Sequence, residues 1–157
     1  MKSPRSAAES RKKVGTVGGT IRPLMATIKQ TALIRGATPH DVYETLMDGE
    51  QHGALSGQPT TVSRRVGGAF KVGHDLEGKQ LTLTADKRIV QTWRANNWPK
   101  GVYSKATFAL AKAPGGTRIT FTQTGVPSEF LKEITSGWKV YYWRPLRRKW
   151  ASRRSSR

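Results

Sequence analysis

Two periods of apolar and polar residues alternate along the chain from Met25 onward, and their order predicts the fold. Ile28, Gln30, Ala32 and Ile34 alternate with Lys29, Thr31, Leu33 and Arg35, the two-residue period of a half-buried strand of about eight residues. A helix start follows. Thr38 can cap, Pro39 suits the first helical position, Asp41 completes a Thr-x-x-Asp capping pattern, and Val42, Tyr43, Leu46 and Met47 share one helical face. Asp48 opens a second short helix, which Gly53 and Gly57 close.

From there to about residue 124 the pattern is strand-like. Weak strands near 60–64 and 69–72 flank Gly67 and Gly68. In the stronger ones, Leu81 and Leu83 alternate with Gln80, Thr82 and Thr84, and Ile89, Gln91 and Trp93 with Val90, Thr92 and Arg94. Ser104, Ala106, Phe108 and Leu110 then alternate with Tyr103, Lys105, Thr107 and Ala109, and after the Pro114-Gly115-Gly116 turn Ile119, Phe121 and Gln123 with threonines and Arg118. Strands in succession without helices between them predict an antiparallel meander.

Ser128 is the expected N-cap of a long last helix, along which Phe130, Leu131, Ile134, Trp138, Tyr141 and Tyr142 recur at three- and four-residue spacing. Pro145 is expected to kink or end it. The fold class is therefore α+β: a curved antiparallel sheet of about six to seven strands, two short helices after the first strand, and one long C-terminal helix covering the apolar face.

Residues 1–24 lack large apolar positions and are expected to be a disordered basic leader, with the domain at 25–150 and a basic tail at 151–157. Met25 stands directly before the first patterned strand, which leaves a start-site extension open as another reading of the leader. The chain's 28 Lys and Arg against 10 Asp and Glu give +18, but the charge is concentrated. The leader carries +5, and residues 144–157, with Arg144, Arg147, Arg148, Lys149, Arg153, Arg154 and Arg157, carry +7, leaving +6 for the body. Those ends, with Trp143 and Trp150 interleaved among the C-terminal basic residues, offer weak non-specific contact with nucleic acid, an anionic surface or an acidic protein. A solvated helix end favoured by the macrodipole is the simpler reading.

The absence of cysteine removes disulfides, thiolate metal sites and a cysteine nucleophile. No apolar run reaches the ~18–20 residues of a membrane-spanning helix, so a soluble, cytoplasmic protein is expected, with organellar targeting by residues 1–24 as a minor alternative. No catalytic constellation emerges. There is no Gly-x-Ser-x-Gly elbow and no phosphate loop, and Ser56-Gly57 and Gly67-Gly68 read as turns. His52 and Asp48 sit at i, i+4 and could ligate a metal, though a surface pair explains them more simply; Glu129 and Glu133 suit the start of the last helix. Neither a metal nor a cofactor is called for. The aromatic residues carry more: they either fill the core or, with buried amides, line a cavity. The candidate lining is Gln91, Trp93, Trp98, Phe108, Phe121, Gln123, Trp138 and Tyr142, suited to a small hydrophobic ligand with one or two polar groups.

Trp93-Arg94, Asn97-Trp98-Pro99, Gly101, Ser104, Thr107, Leu110, Gly116-Thr117, Phe121, Gln123, Gly125-Val126-Pro127, Gly137-Trp138, Tyr142-Trp143 and Pro145-Leu146 follow one another in an order and spacing that resembles a known family. It is the family of activators of heat-shock-protein-90 ATPase, C-terminal-domain type, in the START-like (SRPBCC) superfamily. Asp48, His52, Leu55-Ser56-Gly57 and Gly67-Gly68-Ala69-Phe70 fit the same pattern, and the likeness runs from residue 26 to about 149. The resemblance implies a helix-grip fold, often with a cavity between sheet and helix, and a heat-shock-protein-90-type chaperone as partner. Three classes of function therefore remain: a non-catalytic START-like module for a ligand or a chaperone, a basic interaction protein acting through its ends, and a cavity-based cyclase or hydrolase.

Overall fold

The computed structural model describes residues 14–17 and 20–155, with side chains over 24–152. Within the expected leader, β1 (Val14–Val17) pairs with β2 (Thr20–Pro23) as a short antiparallel hairpin. Residues 1–13 and 18–19 of that leader, and 156–157 of the tail, lie outside the described residues.

Seven strands form one antiparallel sheet. In chain order they are β3 (Met25–Arg35), β4 (Thr60–Val62), β5 (Ala69–Val72), β6 (Leu76–Thr84), β7 (Arg88–Ala95), β8 (Ser104–Ala113) and β9 (Gly116–Pro127). They lie side by side as β3-β9-β8-β7-β6-β5-β4, so the first strand closes against the last and stands at one edge. Every other neighbouring pair is a hairpin connection, as a helix-free run of strands requires.

Between β3 and β4 lie α1 (Pro39–Met47) and α2 (Gly49–Ser56). The capping box forms as expected: the Asp41 amide donates to Thr38 Oγ1 at 3.0 Å and the Thr38 amide to Asp41 Oδ2 at 2.9 Å. Val42, Tyr43, Leu46 and Met47 are buried. Asp48 caps α2 by accepting from the Gln51 amide at 3.0 Å, and Gly57, at φ +76°, ends it in the left-handed conformation that glycine adopts without strain. Gly53 lies inside the helix rather than closing it.

On β8 and β9 the residues expected inward are buried; on β3 Gln30 is only half-buried, and on β7 Val90, expected outward, is buried together with Ile89, Gln91 and Trp93. On β6 the alternation breaks. A bulge between Gln80 and Thr82 shifts the register, so Gln80 is buried and Leu81 is 43% exposed, the reverse of the expected order. Two residues earlier, a Cβ on Gly78 would collide with the Thr92 carbonyl and the Phe70 ring, so the close packing of Phe70 requires glycine there.

The C-terminal helix crosses the concave face and encloses the core. It starts in a 3-10 turn at Ser128–Phe130, where Ser128 does not cap through its side chain; its amide donates to the Leu24 carbonyl at 2.9 Å. It continues as α3 (Leu131–Trp138), a π turn (Lys139–Trp143) and α4 (Arg144–Ser155). The helix does not end at Pro145. The ladder widens just before it, with the Arg144 amide donating to the Lys139 carbonyl, and Pro145 enters at the second residue of the resumed α-helix. A proline there follows a turn already re-registered, which is why the chain runs on.

Candidate functional site

A cleft of about 720 Å³ opens between the C-terminal helix and the strand ends that face it. Trp93 near the end of β7 and Trp138 and Tyr142 from the helix line it as one packed cluster, each 4% exposed or less, with ring centroids 5.6 Å apart for the two indoles and 4.7 Å for Trp138 and Tyr142. Val72, Leu76 and Ile134 add aliphatic surface. The π turn contributes directly. By adding a residue to the helical turn it brings both Tyr142 and its neighbour Trp143 to the buried side, where a regular helix would turn consecutive residues about 100° apart.

The mouth is polar. Asp75 accepts from Gln58 Nε2 at 3.0 Å and from Asn96 Nδ2 at 3.5 Å, while Asn96 also donates to the His74 carbonyl at 3.2 Å. These bonds tie the β5–β6 turn to the loop after β7 and fix the rim. Glu133 adds a second carboxylate, and Asn97 and Tyr141 complete the polar part. No lysine or arginine lines the cleft, in a chain with 28 of them.

Beneath the aromatic wall lies a chain of hydrogen bonds. Trp138 Nε1 donates to Gln123 Oε1 at 2.7 Å, Gln123 Nε2 to Ser104 Oγ at 2.9 Å, and Ser104 Oγ to the Trp93 carbonyl at 2.7 Å. Both ends of the chain are cleft residues, so the Trp138 indole is tied through Gln123 and Ser104 to the backbone at Trp93. A second polar pair holds Tyr142. His52 is buried, and its Nδ1 lies 2.9 Å from the Leu46 carbonyl, which can only accept; Nδ1 therefore carries the proton, and Tyr142 Oη donates to Nε2 at 2.7 Å. Burial lowers the His52 pKa, partly offset by the Leu46 bond, and burial raises that of Tyr142. The pair is neutral, with every polar atom used.

Of the expected cavity residues, Trp93, Trp138 and Tyr142 line this cleft. Gln91, Trp98, Phe108, Phe121 and Gln123 do not; they sit deeper in the core. Phe121 packs on Trp138 at 4.3 Å and on Phe108 at 5.0 Å, and Trp98 stacks on Phe130 at 6.1 Å. The buried amides take protein partners: Gln91 Nε2 donates to Gln80 Oε1 at 3.0 Å, and Gln80 Nε2 to the Ser63 carbonyl at 3.1 Å. The sequence missed the rim residues Asp75, Asn96 and Glu133 as lining: the first two lie in connections whose polarity gives no periodic signal, and Glu133 read only as a carboxylate in the first turn of the last helix. His52 is not the surface partner of Asp48 that its spacing suggested, and no group of three metal-ligating side chains occurs among the described residues.

Arg144, Arg147, Arg148 and Lys149 lie exposed on α4; the side chains of Arg153 and Arg154 are outside the described residues. Trp143 and Trp150 do not stand among them as stacking surfaces. Trp143 is 3% exposed, with Nε1 donating to Gln30 Oε1 at 2.6 Å, and Trp150 packs against the core. No helix among the described residues is long and apolar enough to cross a membrane.

A family model described as activator of Hsp90 ATPase homolog 1-like protein matches residues 36–148. An activator of 90 kDa heat shock protein ATPase homolog from Dictyostelium discoideum is 32% identical over 76% of this chain and 32% of its own. The human activator homolog 1 is 27% identical over 89% of this chain and 41% of its own. An uncharacterized Schizosaccharomyces pombe protein is 34% identical over 71% of this chain and 33% of its own. The chain thus spans about a third to two fifths of these relatives. In fold it is similar to the crystal structure of an HSP90 activator from Plasmodium falciparum, with TM-score 0.67, 21% identity, and coverage of 73% of this chain and 89% of that one. A Mesorhizobium loti protein gives the same TM-score at 19% identity, covering 78% and 95%.

Proposed function

The chain belongs to the family of activator of Hsp90 ATPase homolog 1-like proteins, and within that family we propose that it is a non-catalytic binding module whose cleft holds one small, largely apolar, uncharged or cationic molecule. The observation that carries this reading is the aromatic-walled cleft of about 720 Å³, a size usual for small-molecule pockets of about 300–1,000 Å³. Its lining sets the chemistry. Trp93, Trp138 and Tyr142 suit a flat or aliphatic body, and the carboxylates of Asp75 and Glu133 in a lining that holds no lysine or arginine favour a donor or cation and oppose an anion such as a fatty acid.

Catalysis has little to work with. The titratable pair beneath the cleft, His52 and Tyr142, is neutral and already saturated by its own hydrogen bonds, which withholds it from acid–base work and leaves only the lining carboxylates of Asp75 and Glu133 as candidate bases. Native mass spectrometry of the freshly purified chain tests the reading. A mass above the 17.4 kDa polypeptide that is lost on denaturation supports it; bare polypeptide, together with no binding from a panel of neutral and cationic aromatic compounds, rejects it.

A second reading is contact with a 90 kDa heat-shock protein, favoured by the similarity to the Dictyostelium and human activators of that protein's ATPase. Adding this chain to such a chaperone and following ATP hydrolysis decides it. A rate that rises with the chain supports the contact, and an unchanged rate with no co-migration on gel filtration removes it.

A further inference from the structure

We infer that the groove between the free edge of β3 and helix α4 is a docking site for an acidic, amphipathic segment of a partner protein. The groove measures about 470 Å³ and is lined by Leu33, Arg35, Arg147, Arg148 and Ala151. It shares no residue with the aromatic cleft. Arg147 Nε donates to the Leu33 carbonyl at 3.3 Å, which fixes the helix to the edge strand and sets the groove's floor. Opposite Leu33 on β9 stands exposed Arg118, on the sheet face that carries Leu33 and Arg35.

The charge there is uncompensated. None of β3, β8, β9 and α4 contains an aspartate or glutamate. The ion pairs His40–Asp86, Arg64–Glu44 and Arg94–Glu77 involve none of these arginines. Exposed arginines held this close together repel, and a carboxylate-bearing partner relieves that repulsion while taking the planar guanidinium forks in paired hydrogen bonds.

The apolar elements decide the class of partner. Leu33, half-buried on the edge strand, and Ala151 on the helix give a side chain somewhere to pack, which a phosphate backbone does not use. The two tryptophans that would have served to stack bases face the core instead. An extended or helical segment with alternating carboxylate and aliphatic residues fits both features.

The test is fluorescence anisotropy with the full chain and a labelled twelve-residue peptide alternating Glu and Leu, against the same peptide with Gln for Glu and a single-stranded oligonucleotide of similar charge. Arg35→Glu with Arg148→Glu reverses two groove charges whose side chains make no hydrogen bond or ion pair among the described residues; Lys71→Glu with Lys100→Glu makes the same change on exposed residues elsewhere. The acidic peptide should bind the wild type, the Gln peptide should not, the groove variant should weaken binding about tenfold or more, and the control less than about twofold. Equal weakening by both variants would attribute binding to the overall charge and overturn the site. So would absence of peptide binding, or an oligonucleotide preferred over the peptide and sensitive to the same groove variant.

Discussion

At the scale of single residues, hydrogen bonding rather than burial separates the tryptophans. Trp98 and Trp138 are 4% and 2% exposed, yet Trp138 Nε1 donates to Gln123 while Trp98 Nε1 has no acceptor among the described residues. Replacing either by Phe removes similar volume, but at Trp138 it also strands Gln123 Oε1. Trp138→Phe should therefore destabilise by about 1–3 kcal/mol more than Trp98→Phe in denaturant unfolding; equal losses would mean that the Gln123 bond contributes nothing. His52 gives a pH signature. Its pKa is lowered from the usual 6.5 in the folded state, so as pH falls below 6.5 the unfolded chain takes up a proton that the folded chain refuses, and stability declines until the folded pKa is reached. His40, exposed and raised by Asp86, contributes with the opposite sign: its stabilisation is complete below 6.5 and is lost as pH rises through the folded value. The comparison is therefore His52→Gln against the parent, both in a His40→Gln background, by unfolding between pH 5 and 8. The parent should lose stability towards pH 5 more steeply than the variant, and parallel profiles would place the His52 proton elsewhere.

At the scale of elements, the capping box makes the plainest prediction. Thr38→Ala removes the acceptor of the Asp41 amide and should cost about 1 kcal/mol in unfolding free energy, with Thr38→Ser retaining most of it; a neutral Thr38→Ala would mean that packing of Val42 and Leu46 alone sets the start of α1. Elements with one strong local signal were legible in the sequence: this cap, the alternation of β8 and β9, and the proline-glycine hairpin. Elements set by distant contacts were not. The bulge in β6 inverted Gln80 and Leu81 because a two-residue period carries no mark of an inserted residue, and Gln80 finds its partners on β7 and at Ser63. Pro145 looked like a stop because a π turn leaves no pattern in hydropathy. The cleft was half legible for the same reason. The aromatic lining follows from periodicity, whereas the rim depends on carboxylates and amides brought together only by folding, and His52 on a tyrosine 90 positions away.

At the scale of the molecule, one sheet grips one helix, and several of the residues that carry the family resemblance make the grip. Trp93, Ser104, Gln123 and Trp138 form the bracing chain, His52 and Tyr142 the buried pair, and Ser56, Asn97 and Gly137 border the cleft. With Trp93, Trp98, Trp138 and Trp143 in a single core, loss of tryptophan fluorescence order and loss of far-ultraviolet dichroism should coincide in denaturant; separated transitions would indicate that the helix detaches before the sheet unfolds. Gly137 provides the direct test of the cleft. It lines the cleft from a helical position, and a Cβ there would meet only the Tyr141 ring at 4.0 Å, so Gly137→Leu should fill the cleft while favouring the helix by up to about 1 kcal/mol. The decisive measurement is a fluorescence titration of the wild type and Gly137→Leu with the neutral probe N-phenyl-1-naphthylamine, alongside their unfolding curves. Saturable binding of one probe per wild-type chain, lost in a Gly137→Leu variant at least as stable, is the predicted result; equal binding by both chains, or no saturable binding by the wild type, would contradict a ligand-holding cleft.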